Sequence, residues 1–354
     1  MQEKNIIFFF ILFYAGGNVL FYGENQMKKI VPAGLKKGDE VRVIAPARGL
    51  KIIGQDSRET AIEHFAAMGL KVTFGKNTVD DNFDLMGSTS VEKRVADLHD
   101  AFRDPNVKAI FTVIGGSNSN QILPYLDYEL IKANPKIFCG FSDITALLNA
   151  IYAKTGLVTF SGPHFSSLGM KKGCDYTLDN LQKMILGDGK NQIAPSDEWS
   201  DDLWFLDQEN RNFIKNEGWW IINEGSAEGK IIGGNLGTFD LLLGTSYRPA
   251  FEADTILFIE DCFTSGGDAG AFDRNLQALM YQEDFKNVTG IVIGRFQKAS
   301  EVSREKLEFI LNKPELEKLP IIANVDFGHT TPLLTLPIGG TARISSANGI
   351  FVQI

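Results

Sequence analysis

The segment that most restricts the fold is an unbroken apolar run, AIFTVI at residues 109–114, followed at once by Gly115 and Gly116. Its β-branched and aromatic side chains suit a strand buried on both faces, which a helix-covered parallel sheet provides. The two glycines stop the strand, and Ser117, Asn118, Ser119 and Asn120 make a polar turn. Gln121-Ile122-Leu123 then reads as the start of a helix. Strand, tight turn and helix together lift a serine clear of a sheet edge with backbone N–H groups beside it. Ser119 is therefore the candidate nucleophile. The same Gly-Gly-Ser-Asn composition also makes an ordinary turn. A phosphate-binding loop is weakly supported here, because the glycines lack G-x-G-x-x-G spacing and no Gly-Lys-Ser/Thr is present.

Strand and helix patterns alternate on either side of this segment. Residues 41–45 (VRVIA) and 71–74 predict strands. Asp56 and Glu59 open one helical pattern, and Ser90 caps another that places Val91, Val95, Leu98 and Phe102 on one face. Strands at 136–139 and 157–160 bracket a helix over 143–153. The alternation implies a parallel sheet covered on both faces, with ligands beyond the carboxyl ends of its strands, where residues 115–120 fall. Residues 166–224 break the pattern and carry all four tryptophans, Trp199, Trp204, Trp219 and Trp220, as a functional loop or a hinge would. A second α/β unit follows, with strands at 229–233, 255–260 (TILFIE), 290–293 and 321–325, and helices at 235–243, 268–280 and 304–311. Asn348-Gly349 between apolar alternations predicts a closing hairpin.

A chain of 354 residues holds two domains with sizeable cores. A formal charge of −9 without a Lys/Arg-rich block argues against a nucleic-acid partner. Cys139, Cys174 and Cys262 are too few and too scattered for a disulfide framework, no C-x-x-C occurs, and a reducing compartment is the natural reading. The leader disturbs that reading. Residues 6–15 (IIFFFILFYA) are too short to span a bilayer but suit the core of a signal peptide, although Glu3 cancels Lys4 and no A-x-A site follows. Residues 1–26 are an export signal or a non-structural leader, and they lie outside the expected fold. The expected location is the cytoplasm, or outside it if the leader is a real signal.

Four histidines make the search for a base short. His64 and His99 lie on predicted amphipathic helices, where a structural role dominates. His164, in the loop SGPHF, is a candidate wall of the site. His329 lies in DFGHTTP directly after the apolar run 321–325, where it has few packing reasons to be. It is the candidate general base. Glu260 emerges as strand 255–260 finishes and is the candidate orienting acid, although it and Asp261 could simply cap the next turn. Ser119, Glu260 and His329 follow the Ser, acid, His order that α/β-hydrolases also use. The absence of H-E-x-x-H and of a His/Cys cluster leaves metal catalysis unsupported, and no cofactor is expected.

IGGSNSNQILPYLDY, GFSDITALLNAIYAKTGLVTFSGP, EGKIIGGNL, LFIED and DFGHTTPLLTLPIGG together resemble the LD-carboxypeptidase family of serine peptidases (peptidase family S66). The resemblance runs from about Val31 to the C-terminus. The asparagine-flanked serine and Trp199-Ser200-Asp201 are closer to the microcin C immunity branch than to the muropeptide-recycling enzymes. It implies an N-terminal flavodoxin-like parallel-sheet domain (27–165) carrying the nucleophile. A linker and substrate loop (166–224) leads to a smaller C-terminal swivelling α/β domain (225–354) carrying the acid and the base. A Ser-Glu-His triad would fall on Ser119, Glu260 and His329, and an oxyanion hole on Asn120 with Gly116 or Gly115. A loop tryptophan would stack on a substrate nucleobase, with Trp199 the best positional match and Trp204 the second, although either could equally be core. Asn235, in EGKIIGGNL, and His164 are further substrate-binding candidates. The family includes homodimers.

The expected activity is hydrolysis of an amide bond near a peptide carboxyl end. The substrate is either an L,D-bond in a muropeptide or the amide joining a peptide or aminoacyl group to a nucleotide-like moiety. A two-domain protein that closes on a small ligand without chemistry is the rival reading.

Overall fold

The computed structural model describes residues 28–79, 83–263 and 268–354, so the leader at 1–26 lies outside the described residues. In chain order the first half contains β1 (Glu40–Ile44), α1 (Gln55–Ala67), β2 (Lys71–Phe74), α2 (Val91–Arg103), β3 (Val107–Thr112), α3 (Tyr128–Ala133), β4 (Ile137–Gly140), α4 (Thr145–Thr155), β5 (Thr159–Ser161) and α5 (Asp175–Ile185). There follow β6 (Lys190–Ile193), β7 (Glu198–Trp199), β8 (Ile214–Lys215), β9 (Trp220–Asn223), β10 (Ser226–Asn235), α6 (Leu236–Asp240), β11 (Thr255–Glu260) and α7 (Ala269–Met280). The chain closes with β12 (Val288–Gly294), α8 (Arg304–Leu311), β13 (Ile321–Val325), β14 (Leu336–Ile338), β15 (Thr341–Ser345) and β16 (Gly349–Gln353).

β1 to β5 pair in parallel in the order 2-1-3-4-5, which is the flavodoxin-like winding. The apolar run predicted to be buried on both faces is β3, whose Ala109, Ile110 and Phe111 have no exposed surface. The winding reverses between β1 and β3, so the loops after β1, β3 and β4 open on one crevice. Helices cap as the sequence suggests at Ser90, which accepts the Lys93 N–H. At α1 the cap is Gly54, one residue before the helix and with no side-chain hydrogen bond, so the Asp56/Glu59 pair does not open it.

The second sheet runs β6-β16-β15-β10-β11-β12-β13-β9, with β10 to β13 parallel and the flanking strands antiparallel. Three features differ from the expected partition. β6 and β9, from the stretch read as a linker, are the two edges of this second sheet. β14, from the far end of the chain, pairs antiparallel with β5 and closes the first sheet. The second sheet is consequently the larger, with eight strands against six. β6, β9 and β14 are short, and the strands they pair with are far away in sequence, so nothing local sets their sheet.

The two sheets meet where α4 lies against the end of β10. Asn149 Nδ2 donates to the Gly233 carbonyl at 2.8 Å, and the Asn235 N–H donates to Thr145 Oγ1 at 3.0 Å. Because Asn235 pairs in register with Glu260, this junction carries the start of α4 toward the end of β11.

Candidate active site

Between β4 and α4 the chain turns within a few residues. Phe141 is still extended, at φ −148° and ψ −163°, and Ser142 then turns into the left-handed region at φ 59°. A non-glycine residue there stores roughly 1–3 kcal/mol of strain. The hydrogen-bonded 3₁₀ turn Ser142–Ile144 and the junction with β10 hold it in place. This strained strand-to-helix turn presents the Ser142 hydroxyl at the crevice.

His329 Nε2 lies 2.9 Å from Ser142 Oγ, and His329 Nδ1 lies 2.8 Å from Glu260 Oε2. Glu260 ends the fully buried strand β11, as expected, and its side chain is 4% exposed. His329 follows β13 on a loop that crosses close to that carboxylate. A Cβ on Gly328, at φ 106°, would sit 2.9 Å from Glu260 Oε2, so glycine is needed for the approach. The base of the loop is fixed by Asp326, which is fully buried and accepts from Arg295 Nη1 and Ser196 Oγ, both at 2.7 Å. The backbone of Thr331 pairs with Ser200 in both directions.

Burial opposes a charged imidazolium, but the Glu260 carboxylate and the Cys262 thiol beside the ring outweigh it and raise the His329 pKa to about 10. The imidazole accepts a proton from Ser142 only once Nε2 has lost its own. The sign follows directly: kcat/KM should climb with pH across the neutral range and still be rising at pH 8. A pH–rate profile that is level above pH 7 would contradict this environment for His329.

Ser119 makes a different bond in this geometry. It has no exposed surface, and its hydroxyl donates to the Asp143 carbonyl at 2.6 Å. Its N–H and that of Asn118 both donate to Asp143 Oδ2, at 2.9 and 3.0 Å. The predicted helix after the turn is a 3₁₀ segment, Ser119–Tyr125, which holds Ser119 and Asn120 in its first turn. Asn120 follows Ser119 in that first turn. Gly115 does border the constellation: a Cβ there would meet Ser142 Oγ at 3.0 Å and the Asp143 nitrogen at 3.5 Å. Among the described residues, the N–H groups of Gly116 and Asp143 have no protein acceptor.

The remaining candidates separate. His164 is 2% exposed and stacks on Phe141 at 4.4 Å, and its Nδ1 lies 2.7 Å from Thr112 Oγ1. Burial, and then the charge of His329, push its pKa down to about 3, so it stays neutral. Asn235 caps α6, and its side chain reaches Asp261 Oδ1 at 3.5 Å. Trp204 lines a cavity of about 690 Å³ with Arg48, Ile53, Met86, Ile114 and Phe205, next to the Gly115 turn. Trp199 lies elsewhere, in a cavity with Trp220, its ring 5.2 Å from the Arg295 guanidinium and 5.6 Å from Lys298 Nζ. His64 and His99 are structural, bonding the Leu168 carbonyl and the Asp127 N–H.

Comparison with known proteins identifies the family. The family model for the LD-carboxypeptidase N-terminal domain matches residues 41–162, and that for the LD-carboxypeptidase C-terminal domain matches residues 228–344. The chain belongs to the LD-carboxypeptidase family. YocD of Bacillus subtilis (strain 168), named as a carboxypeptidase, is 53% identical over 317 residues, covering 89% of this chain and 96% of the relative. The crystal structure of an MccF-like protein from Bacillus anthracis superposes with a TM-score of 0.89 at 51% identity, covering 92% of this chain and 99% of the other. MccF in complex with glutamyl sulfamoyl guanosine superposes with a TM-score of 0.80 at 30% identity, covering 91% and 97%. This LD-carboxypeptidase is thus a carboxypeptidase-type enzyme, and both parts of the family model contribute to the site. The first holds Ser142 and the Gly115 turn, and the second holds Glu260 and His329.

Ser142, which sequence reasoning does not single out, carries a readable mark. Gly140-Phe141-Ser142-Asp143 separates a four-residue apolar strand from a helix by less than one helical turn of chain. The turn after β3 is longer and ends in a 3₁₀ segment, which leaves its serine room to fold inward.

Proposed function

We propose that Ser142, His329 and Glu260 form the catalytic triad of a serine carboxypeptidase or amidase that hydrolyses an amide bond near a peptide carboxyl end. The observation that carries this reading is the 2.9 Å approach of His329 Nε2 to the hydroxyl of a serine held at φ 59°. Ser142 Oγ attacks the scissile carbonyl carbon, and its proton passes to His329 Nε2. The carbonyl oxygen, now anionic, is received by the N–H groups of Asp143 and Gly116. Collapse breaks the C–N bond, and His329 returns the proton to the leaving amine. Water repeats the sequence on the acyl-enzyme and frees Ser142. Glu260 holds Nδ1 and stabilises the imidazolium in both halves.

For the substrate we favour an amide whose leaving group carries a flat aromatic unit, such as an aminoacyl group joined to a nucleotide-like moiety. The cavity walled by Trp204 and Phe205 abuts the Gly115 turn and has the size for such a unit. MccF, a family relative, binds glutamyl sulfamoyl guanosine. A muropeptide L,D-bond offers that wall no aromatic partner. We place the enzyme in the cytoplasm, in keeping with three buried cysteines, none in a disulfide. Among the described residues no helix is long and apolar enough to cross a membrane.

A fluorophosphonate probe followed by peptide mapping tests the triad: the adduct is expected on the peptide containing Ser142, and an adduct on Ser119 would overturn the assignment. A panel of muropeptides and aminoacyl-nucleotide analogues tests the substrate. Trp204→Ala should raise KM for the nucleotide analogues about tenfold, the usual worth of one stacked base, and leave muropeptide cleavage unchanged. Equal effects on both, or none, would count against stacking.

A further inference from the structure

The two glycines of the turn after β3 face different neighbours. A Cβ on Gly115 would meet Ser142 Oγ at 3.0 Å, whereas a Cβ on Gly116 would meet Ala47 Cβ at 2.9 Å and Arg48 Cγ at 3.5 Å. Only the thickness of the turn separates Arg48 from the serine elbow. The Arg48 backbone is fixed from two sides. Its N–H donates to the Gly115 carbonyl at 3.4 Å, and it bridges antiparallel to Ser88. The next N–H, of Gly49, donates to the Gly87 carbonyl at 3.0 Å. The exposed Arg48 side chain lines the cavity of about 690 Å³ that also holds Trp204. Among the described residues that line this cavity Arg48 is the one charged group, and the wall beside it is apolar, with Ile53, Met86, Ile114 and Phe205. A lone cation in an apolar cavity beside the reacting groups invites an anion.

We propose that Arg48 is a specificity residue that binds the anionic group on the leaving side of the scissile amide. The inference deepens the amide-hydrolase reading above and rests on it. Both substrate classes weighed there carry such a group. The last residue of a peptide has its carboxylate on the carbon bonded to the amide nitrogen, and an amide joined to a nucleotide has a phosphoryl group on that side. An anion that enters this cavity loses water to apolar walls, which is costly unless a cation meets it. The same walls lower the local dielectric and strengthen the attraction. A guanidinium meets a carboxylate or a phosphoryl group with two parallel N–H bonds, so it fixes direction as well as charge. The substrate then lies with its leaving side at the Gly116 edge of the turn and its carbonyl at the Gly115 edge. A peptide amide further from the chain end has no charge at that place. One arginine thereby confines cleavage to the last amide.

The test compares steady-state kinetics of the full chain on two matched pairs of compounds. One pair is a muropeptide with a free carboxyl end and its C-terminal amide. The other is an aminoacyl-nucleotide with a phosphoryl linker and its counterpart with an uncharged linker. Wild type should prefer the anionic member of at least one pair by roughly 10- to 100-fold in kcat/KM, the worth of one charge-assisted contact. Arg48→Ala should lose that preference through a higher KM for the anionic member, with kcat changed by less than about threefold. Arg48→Lys should retain part of it, because the charge stays and the fork is lost. A preference lost in the peptide pair identifies a terminal carboxylate, and one lost in the nucleotide pair identifies a phosphoryl group. The Arg48 side chain is exposed, so the variants should fold, and their thermal midpoints check this. No preference in wild type, or an equal loss on both members of each pair in Arg48→Ala, would overturn the assignment, since an arginine that only shapes the turn slows both members alike. Failure of wild type to cleave any of the four compounds or to take a fluorophosphonate label would instead overturn the amide-hydrolase reading, so the two failures are distinguishable.

Discussion

Replacing Ser142 with alanine is expected to lower kcat by roughly six orders of magnitude, as loss of the nucleophile does in other triad enzymes. The reason is geometric. Ser142 has the hydroxyl that His329 Nε2 approaches, and the Ser119 hydroxyl donates to the Asp143 carbonyl. The variant should fold, because Ser142 Oγ has His329 as its hydrogen-bond partner and fills no core position. Circular dichroism and the thermal midpoint would establish that, and single-turnover hydrolysis of the best substrate in the panel would measure the loss. Activity within about a hundredfold of wild type would be too much for a triad without its nucleophile. The same measurement on Ser119→Ala separates the two serines, because a loss as large there with Ser142→Ala left active would make Ser119 the nucleophile.

Much of the site is legible in the amino-acid sequence, and the part that is not has a physical cause. Glu260 and His329 stand at the ends of β11 and β13, whose runs are fully buried and unmistakable. Glu260 could as well cap the next turn, whereas His329 has few packing reasons to be where it is, and the fold brings the two together at 2.8 Å. The serine is harder to place, because Gly115-Gly116-Ser117-Asn118-Ser119 carries stronger turn chemistry than Gly140-Phe141-Ser142-Asp143. The decisive property of Ser142, its positive φ, is imposed by tertiary contacts and not announced by a glycine. The fold shows the same division. The parallel order 2-1-3-4-5 follows from long apolar runs, whereas β6, β9 and β14 are short pieces whose sheet is chosen by partners far away in the chain. Trp199 and Trp204 differ by five positions, and only the chain path between β7 and β8 puts the second beside the Gly115 turn.

The second large effect concerns the acid. Glu260→Gln should reduce kcat by about 10⁴, the scale seen when a triad carboxylate is replaced by its amide. The substitution keeps the shape of a side chain that is almost entirely enclosed, so packing is preserved. What changes is the proton. A carboxylate can only accept at His329 Nδ1, which fixes the neutral ring with its lone pair on Nε2 facing Ser142. An amide can turn its NH₂ toward Nδ1, and the ring then carries its proton on Nε2, where it cannot act as a base. The amide also removes the charge that most favours the imidazolium, so the pKa of His329 should fall from about 10 toward or below that of free histidine. The pH dependence therefore moves in a stated direction: the residual activity of Glu260→Gln should level off at a lower pH than that of wild type. NMR titration of the four histidine rings would follow the shift independently of turnover. If the variant lost activity while its profile stayed where the wild type's lies, Glu260 would be orienting the ring without setting its charge. If neither rate nor profile moved, the 2.8 Å contact would have no part in the reaction.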